Sequence, residues 1–340
     1  MTNITLYIPG LLSPARDLVE GDIPPTPSLQ KLLAIGKRRT FPPMGFSRCL
    51  CGLFGLESRP QQDDPVAAIT HLVDDRETRE YIWMRADPVY LAADREGVVL
   101  MDSSTFNLDL QEALVLAADI RDLLAEEGLE LEVPTTDRWY LKLHEPANVT
   151  TTPVHEVVAK DIHRFLPSGS GRDHWARLLN EIQMTLHNCP VNEERQQRGE
   201  LPVNSIWCWG SGSLPTAGNC QWDRVYSDET ISKGLSQLYG VSSRESPEEV
   251  TDVFSDSGSN DQILTVLSFG LRHAQYHDMI GWQDFIAYLE ACWFKGLLGM
   301  MRDGMINHLT LLLENQEFSI SKSSLLKFWK QQQQLQAYLH

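Results

Sequence analysis

The chain has 340 residues, 42% of them hydrophobic and 22% charged, the proportions of an ordinary globular protein and a length that suits two domains or one core carrying a large insertion. Its 46 acidic and 29 basic residues give a net charge of −17, which argues against binding a nucleic-acid backbone or an anionic lipid surface and leaves a small anion only a local basic pocket. No run of about 18 apolar residues is present, the opening MTNITLYIPGLL has no basic leader, and six cysteines are scattered without a disulfide framework, so a reduced, cytoplasmic protein is expected.

The first predicted element is a buried strand at residues 4–8 (ITLYI), stopped by Pro9-Gly10. A proline-rich stretch at 21–30 leads into a short helix carrying Leu29, Leu32 and Leu33 and ending at Gly36, and 57–65 is a polar loop. Tyr81–Leu91 and Val98–Met101 read as two strands joined by a turn at Gly97. A helix follows, with Asp109 as its cap, Glu112 three residues on, an apolar face of Leu110, Leu114, Ala117, Ile120 and Leu124, and Gly128 at its end.

Trp139–Leu143 reads as a strand, 150–172 as loop, and a second helix begins near Asp173 with Trp175, Leu178, Leu179, Ile182 and Leu186 inward. Ser205–Trp209 reads as a strand feeding the turn Gly210-Ser211-Gly212, and 242–261 as a Ser- and Asp-rich loop. Ile263–Phe269 is predicted as a buried strand, Trp282 to Leu298 as a long amphipathic helix, and Leu309–Leu313 as the last strand before a low-complexity KQQQQLQ tail. Strands and helices alternate, which points to an α/β layered fold.

Few local patterns carry chemistry. The Gly-Ser-Gly turn after a strand could cradle a phosphate, but it lacks a third glycine and a following lysine, and a plain tight turn is the better reading. His273 and His277 stand four apart beside Asp278, as metal ligands on a helix can, yet ordinary surface or core histidines are the default. Cys49 and Cys51 have no second pair for a zinc site and read as small buried hydrophobes. Asn192 and Arg195 could hold an anion, a guanidinium matching carboxylate or phosphate in a fork, or could lie in a solvated loop.

Taken in order, several segments resemble one family. HNCPVNEERQQRGELPVNSIWCWGSGSLP at 187–215 resembles the hPvN-x-x-R…W-x-WGqG-x-x-P stretch of archaeal-type cofactor-independent phosphoglycerate mutases. WMRADPVYLAADREGVVLMDSSTFNLDLQEALVLAADI at 83–120, TTDRWYLKL at 135–143, PTPSLQKLLAIGK at 25–37 and GFSRCLCGLFGLE at 45–57 are similar, more weakly, to further segments of that family in the same order. A shorter bacterial branch labelled RpfE-type regulatory proteins is the nearest in pattern. The resemblance implies an alkaline-phosphatase-like α/β core with a smaller inserted α+β domain, here residues 1–75 and 203–340 around 76–202. It further implies two divalent metals and a serine nucleophile that move a phosphoryl group between the hydroxyls of a glycerate.

The same comparison marks departures. Where the family's first strand ends in a metal-binding Asp-Gly, this chain has Pro9-Gly10, and the family's T-x-D-H after the last strand becomes Leu312-Leu313-Glu314-Asn315. The nucleophile position falls at or beside Ser47, followed by Arg48 in place of Asp. No metal cofactor is therefore expected; if manganese, magnesium or zinc is bound, His273, His277, Asp278 and Glu314 are the candidates. The anion side matches better: Arg85, Asp102, Arg138, Asn192 and Arg195 fall on family positions, and could bind a small anionic metabolite or persist as fold-stabilising salt links. Three functions fit: a degenerate mutase-like regulatory binder, an active metal-dependent mutase or phosphatase with a rearranged site, and a partner-binding scaffold using the Trp-rich 282–298 helix.

Overall fold

The computed structural model describes residues 2–13, 23–75, 81–95, 97–254, 260–327 and 329–339. Among them twelve strands form, numbered in chain order: β1 (Thr2–Tyr7), β2 (Lys37–Thr40), β3 (Ile82–Asp94), β4 (Gly97–Met101), β5 (Glu130–Glu132), β6 (Tyr140–Leu143), β7 (Ser205–Ser213), β8 (Arg224–Tyr226), β9 (Ser242–Arg244), β10 (Gln262–Val266), β11 (Ile306–Leu313) and β12 (Gln316–Ser321). They belong to two compact units, Met1–Met44 with Asn219–His340, and Gly45–Gly218. The fold is the expected layered α/β class with an inserted α+β unit, which is not smaller than the core as expected but about equal to it in length.

The discontinuous unit holds a seven-stranded sheet in the order β2-β12-β11-β1-β10-β8-β9. Strands β11, β1, β10, β8 and β9 run parallel, β12 pairs antiparallel with β11, and β2 pairs antiparallel with β12. The register sets Ile4 opposite both Ile263 and Leu309, all buried, the continuous apolar run of a parallel strand covered on both faces. The helix Pro27–Ile35 begins with proline in its first turn and buries Leu29, Leu32 and Leu33. Two of its open N–H groups, on Ser28 and Leu29, donate to the Glu290 carboxylate at 2.7 and 3.0 Å. Glu290 opens a π-helical turn, Glu290–Phe294, between the helices Met279–Leu289 and Lys295–Arg302, so the helix expected over 282–298 runs longer and is wound more widely at its centre.

Some expectations need correction in this unit. Leu309–Leu313 is not the last strand: the chain turns at Glu314-Asn315 and returns as β12, whose alternate residues Phe318 and Ile320 are buried. The strand expected to reach Phe269 ends at Val266, and Phe269 precedes the short helix Gly270–Gln275. Of the loop expected over 242–261, Ser242–Arg244 is the edge strand β9, Val250–Phe254 is a 3₁₀ turn, and 255–259 lie outside the described residues.

The contiguous unit holds the sheet β4-β3-β6-β5, with β7 alongside β3 and every pair antiparallel. Ser205–Trp209 thus pairs with β3, Val89 opposite Ser205 and Ile82 opposite Ser213, and not in one sheet with Ile4–Ile8. The insertion accordingly runs from 45 to 218, wider than the 76–202 expected from the change in texture. The cause is packing: Ile206 and Cys208 of β7 share a core with Met84 and Ala86 of β3. Helix Leu110–Glu126 is capped as expected, the Asp109 carboxylate accepting from Glu112 N–H at 2.8 Å. With helix Arg172–His187 it closes this core through Leu116, Ile120, Leu178, Ile182 and Leu186 around Trp139. Among the described residues no helix is long and apolar enough to cross a membrane.

Candidate functional site

A buried polar cluster lies on the sheet of the contiguous unit. Arg85 and Asp87 are two apart on β3, so they share one face, and they form an ion pair of 2.6 Å with both side chains 7% exposed. Trp209 of β7 donates its indole N–H to Asp87 Oδ2 at 2.7 Å. Burial pushes the Asp87 carboxyl up to about 6, against the pull of Arg85 and the indole hydrogen bond. The Arg85 guanidinium lies 5.1 Å from the Trp209 ring and 5.4 Å from that of Tyr140.

Arg138 extends the cluster. Its Nε and Nη2 form a fork on Asp74, each at 2.9 Å, and Tyr140 donates to the same carboxylate. Burial alone would raise Asp74, but the hydrogen bonds from Arg138 and Tyr140 overcome it and hold the carboxyl below its ordinary range. The third contact of Arg138, Nη1 to Asp137 at 3.0 Å, lies toward solvent.

Ser47 stands in the first turn of helix Phe46–Leu53 and is buried. Its backbone N–H donates to Nε2 of His155 at 3.4 Å. Burial, with the charges of Arg85 and Lys160, lowers His155 to about 3, so the imidazole is neutral. Arg48 pairs with Asp64 at 3.1 Å. Cys49 and Cys51 are buried, as read.

The three arginines expected to face one anion do not share one set of partners. Arg195 and Asn192 sit on the helix Pro190–Gln197, not on a solvated loop, and both are buried. Asn192 donates to the carbonyls of Leu186 and Val203 at 2.7 and 2.8 Å and accepts from Val203 N–H at 2.8 Å. Arg195 donates to Leu201 O at 2.9 Å and pairs with Glu112, which also pairs with Arg198. Asp102 caps the 3₁₀ turn Ser103–Thr105 through Ser104 N–H at 3.2 Å.

In the discontinuous unit the end of β1 is built around Gly10. Its φ is +84°, and a Cβ there would come within 2.8 Å of Gly270 O, so only glycine fits. Trp282 donates to Gly10 O at 3.1 Å, and Glu314 Oε1 accepts from Leu12 N–H at 3.0 Å. Burial raises the Glu314 carboxyl to about 7. His273 Nδ1 lies 2.8 Å from Asp278 Oδ2, while Asp278 Oδ1 caps the next helix through Gly281 N–H at 3.0 Å. His273, His277, Asp278 and Glu314 thus do not converge as one ligand set. Among the described residues the one trio with metal-ligand spacing is His71, Asp75 and Glu132, which sequence reading missed because the third member lies 57 positions beyond the second.

A cavity of about 750 Å³ opens in the contiguous unit, lined by polar residues such as Asp63, Thr150 and Ser211 and by apolar ones such as Pro65, Ile82 and Val149. Asp63 is held by Thr151 and by Ser211 N–H at 3.1 Å. The Gly-Ser-Gly segment lies inside β7, and a Cβ on Gly212 would meet Pro65 Cβ at 2.6 Å. The segment is therefore not the tight turn expected after Trp209: the strand runs on through it to Ser213, and its glycine at 212 serves close packing.

No protein-family profile matches the chain. It is 29% identical over 133 residues, 38% of its length, to a probable 2,3-bisphosphoglycerate-independent phosphoglycerate mutase of Geobacter sulfurreducens. It is 35% identical over 122 residues, 35% of its length, to the 2,3-bisphosphoglycerate-independent phosphoglycerate mutase of Methanosarcina mazei. The likeness is to phosphoglycerate mutases. It spans about a third of those relatives, 33% and 31% of their lengths. The structure of the PH0037 protein from Pyrococcus horikoshii shares the fold, with a TM-score of 0.51 at 11% identity over 94% of this chain and 87% of that one.

Proposed function

We propose that the chain is a phosphoglycerate-mutase-like protein without two-metal phosphoryl transfer, which binds a small phosphorylated or carboxylated metabolite in a regulatory role, as the RpfE-type resemblance implies. The observation that carries this reading is the surroundings of Glu314. Where the resemblance calls for a metal-binding aspartate at the end of β1, Pro9 offers no ligand, and the half-buried Glu314 carboxyl accepts from the Leu12 N–H instead. Asp278 is committed to His273 and to a helix cap. This donor set does not fit two dications, which need several anionic oxygens aimed at one point. A turnover of about 1–10³ per second on phosphoglycerate with manganese, magnesium or zinc added would overturn the reading.

Arg138 is the group proposed to meet the metabolite. Its fork on Asp74 is fixed, but its pair with Asp137 is at the surface, the two side chains being 21% and 44% exposed. Such an exposed pair is worth at most about 1 kcal/mol, so an incoming carboxylate or phosphate can replace it. Titration with 3-phosphoglycerate tests this. At about 100 times its dissociation constant it should stabilise the protein by roughly 2.7 kcal/mol, and Arg138→Lys, which keeps the charge beside Asp74 but loses the planar fork, should weaken binding at least tenfold. If neither phosphoglycerates nor simple hydroxycarboxylates raise the melting temperature, the binding role is wrong.

A further inference from the structure

His71, Asp75 and Glu132 have no part in the reading above, yet their placement is specific. His71 is on the helix Val66–Asp74 and is 1% exposed. Its ring stacks on Trp83 at 3.7 Å between centroids and meets the edge of Tyr140 at 4.8 Å, which fixes the direction of its ring nitrogens. Nε2 lies 2.9 Å from Glu132 Oε2 on β5. Asp75 follows the helix directly, its N–H donating back to His71 O, and one oxygen of each carboxylate and a ring nitrogen of His71 all fall within 4.8 Å of one another.

We propose that these three residues form a site for a single divalent transition-metal ion, zinc or manganese. One imidazole nitrogen with two carboxylate oxygens is a three-ligand set that leaves coordination positions for water, and metal bonds of about 2.0–2.2 Å need only a small closure from the present spacing. The imidazole favours a transition metal over magnesium or calcium. Two carboxylates side by side concentrate negative charge that a dication neutralises, in a chain already at −17. The surroundings are rigid: Asp74, which precedes Asp75, is locked by Arg138 and Tyr140, and Tyr140 is also the ring against His71. Asp75 is exposed and the Glu132 side chain is 38% exposed, so an ion can reach them.

The test is calorimetric titration of the full chain, stripped with a chelator, with zinc chloride and with manganese chloride. One ion per chain is expected for at least one metal, and Asp75→Asn and Glu132→Gln should each weaken it tenfold or more while leaving the metal-free melting temperature unchanged. Substitution of cobalt gives an independent readout, a visible ligand-field band that both variants should lose. No uptake by the wild type, or uptake unaltered in both variants, overturns the site. Neither outcome bears on the mutase assay, so this inference and the proposed function fail separately.

Discussion

Glu314 shows what burial does to a single carboxyl. Its proton is held more tightly in the folded protein, up to about 7, than the ordinary value of 4.5. Between those two pH values the folded state binds more protons than the unfolded chain, so stability falls as pH rises through this window and levels off above it. The difference corresponds to on the order of 3 kcal/mol. Glu314→Gln keeps an oxygen for the Leu12 N–H and removes the titration, so its melting temperature should exceed that of the wild type by several degrees at pH 8 and match it near pH 4.5. Equal melting temperatures at both pH values would show that the carboxyl is not desolvated. The sequence singled out Glu314, Arg85 and Arg138, because each falls in a recognisable segment. It was silent on Asp74 and Tyr140, since partners brought to Arg138 from elements far apart in the chain have no signature until the fold places them together.

At the level of elements, the legible ones were those whose own pattern determines them: the capped helix Leu110–Glu126, the amphipathic helix Arg172–His187 and the apolar strand β1. The illegible ones take their structure from neighbours. β2 is Lys37-Arg38-Arg39-Thr40, exposed throughout, and is a strand only because β12 pairs with it. The helix Pro190–Gln197 is polar in composition, and its inward residues are Asn192 and Arg195. That helix is anchored by the buried pair of Arg195 with Glu112, which ties it to helix Leu110–Glu126. Removing one partner of a buried pair costs about 3–5 kcal/mol. Arg195→Ala should therefore lower stability by that order in denaturant titrations, with or without a metabolite present. A variant that is equally stable but insensitive to 3-phosphoglycerate would instead return Arg195 to the binding role first considered for it.

On the scale of the whole molecule, the chain leaves one unit at residue 44, builds another, and returns at 219. The texture change near Tyr81 was visible, but the true boundaries were not. Helices Phe46–Leu53 and Val66–Asp74 read like any core helix, and β7 reads like any buried strand. What assigns them is pairing: β7 completes the sheet on β3, and Ala67 and Ala68 pack with Trp83 and Tyr140. The contiguous unit thus contains every strand of its own sheet and a core of its own, around Trp139, Leu116 and Ile182, which is what independent folding requires. A fragment of residues 45–218 should fold alone and unfold cooperatively, with dispersed amide signals in its NMR spectrum. Because His71, Asp75 and Glu132 all lie within it, the folded fragment should also take up the same single metal ion as the full chain. A fragment that is compact but has collapsed amide dispersion and no cooperative transition would show that this core is not self-sufficient, and that the two units fold only as one.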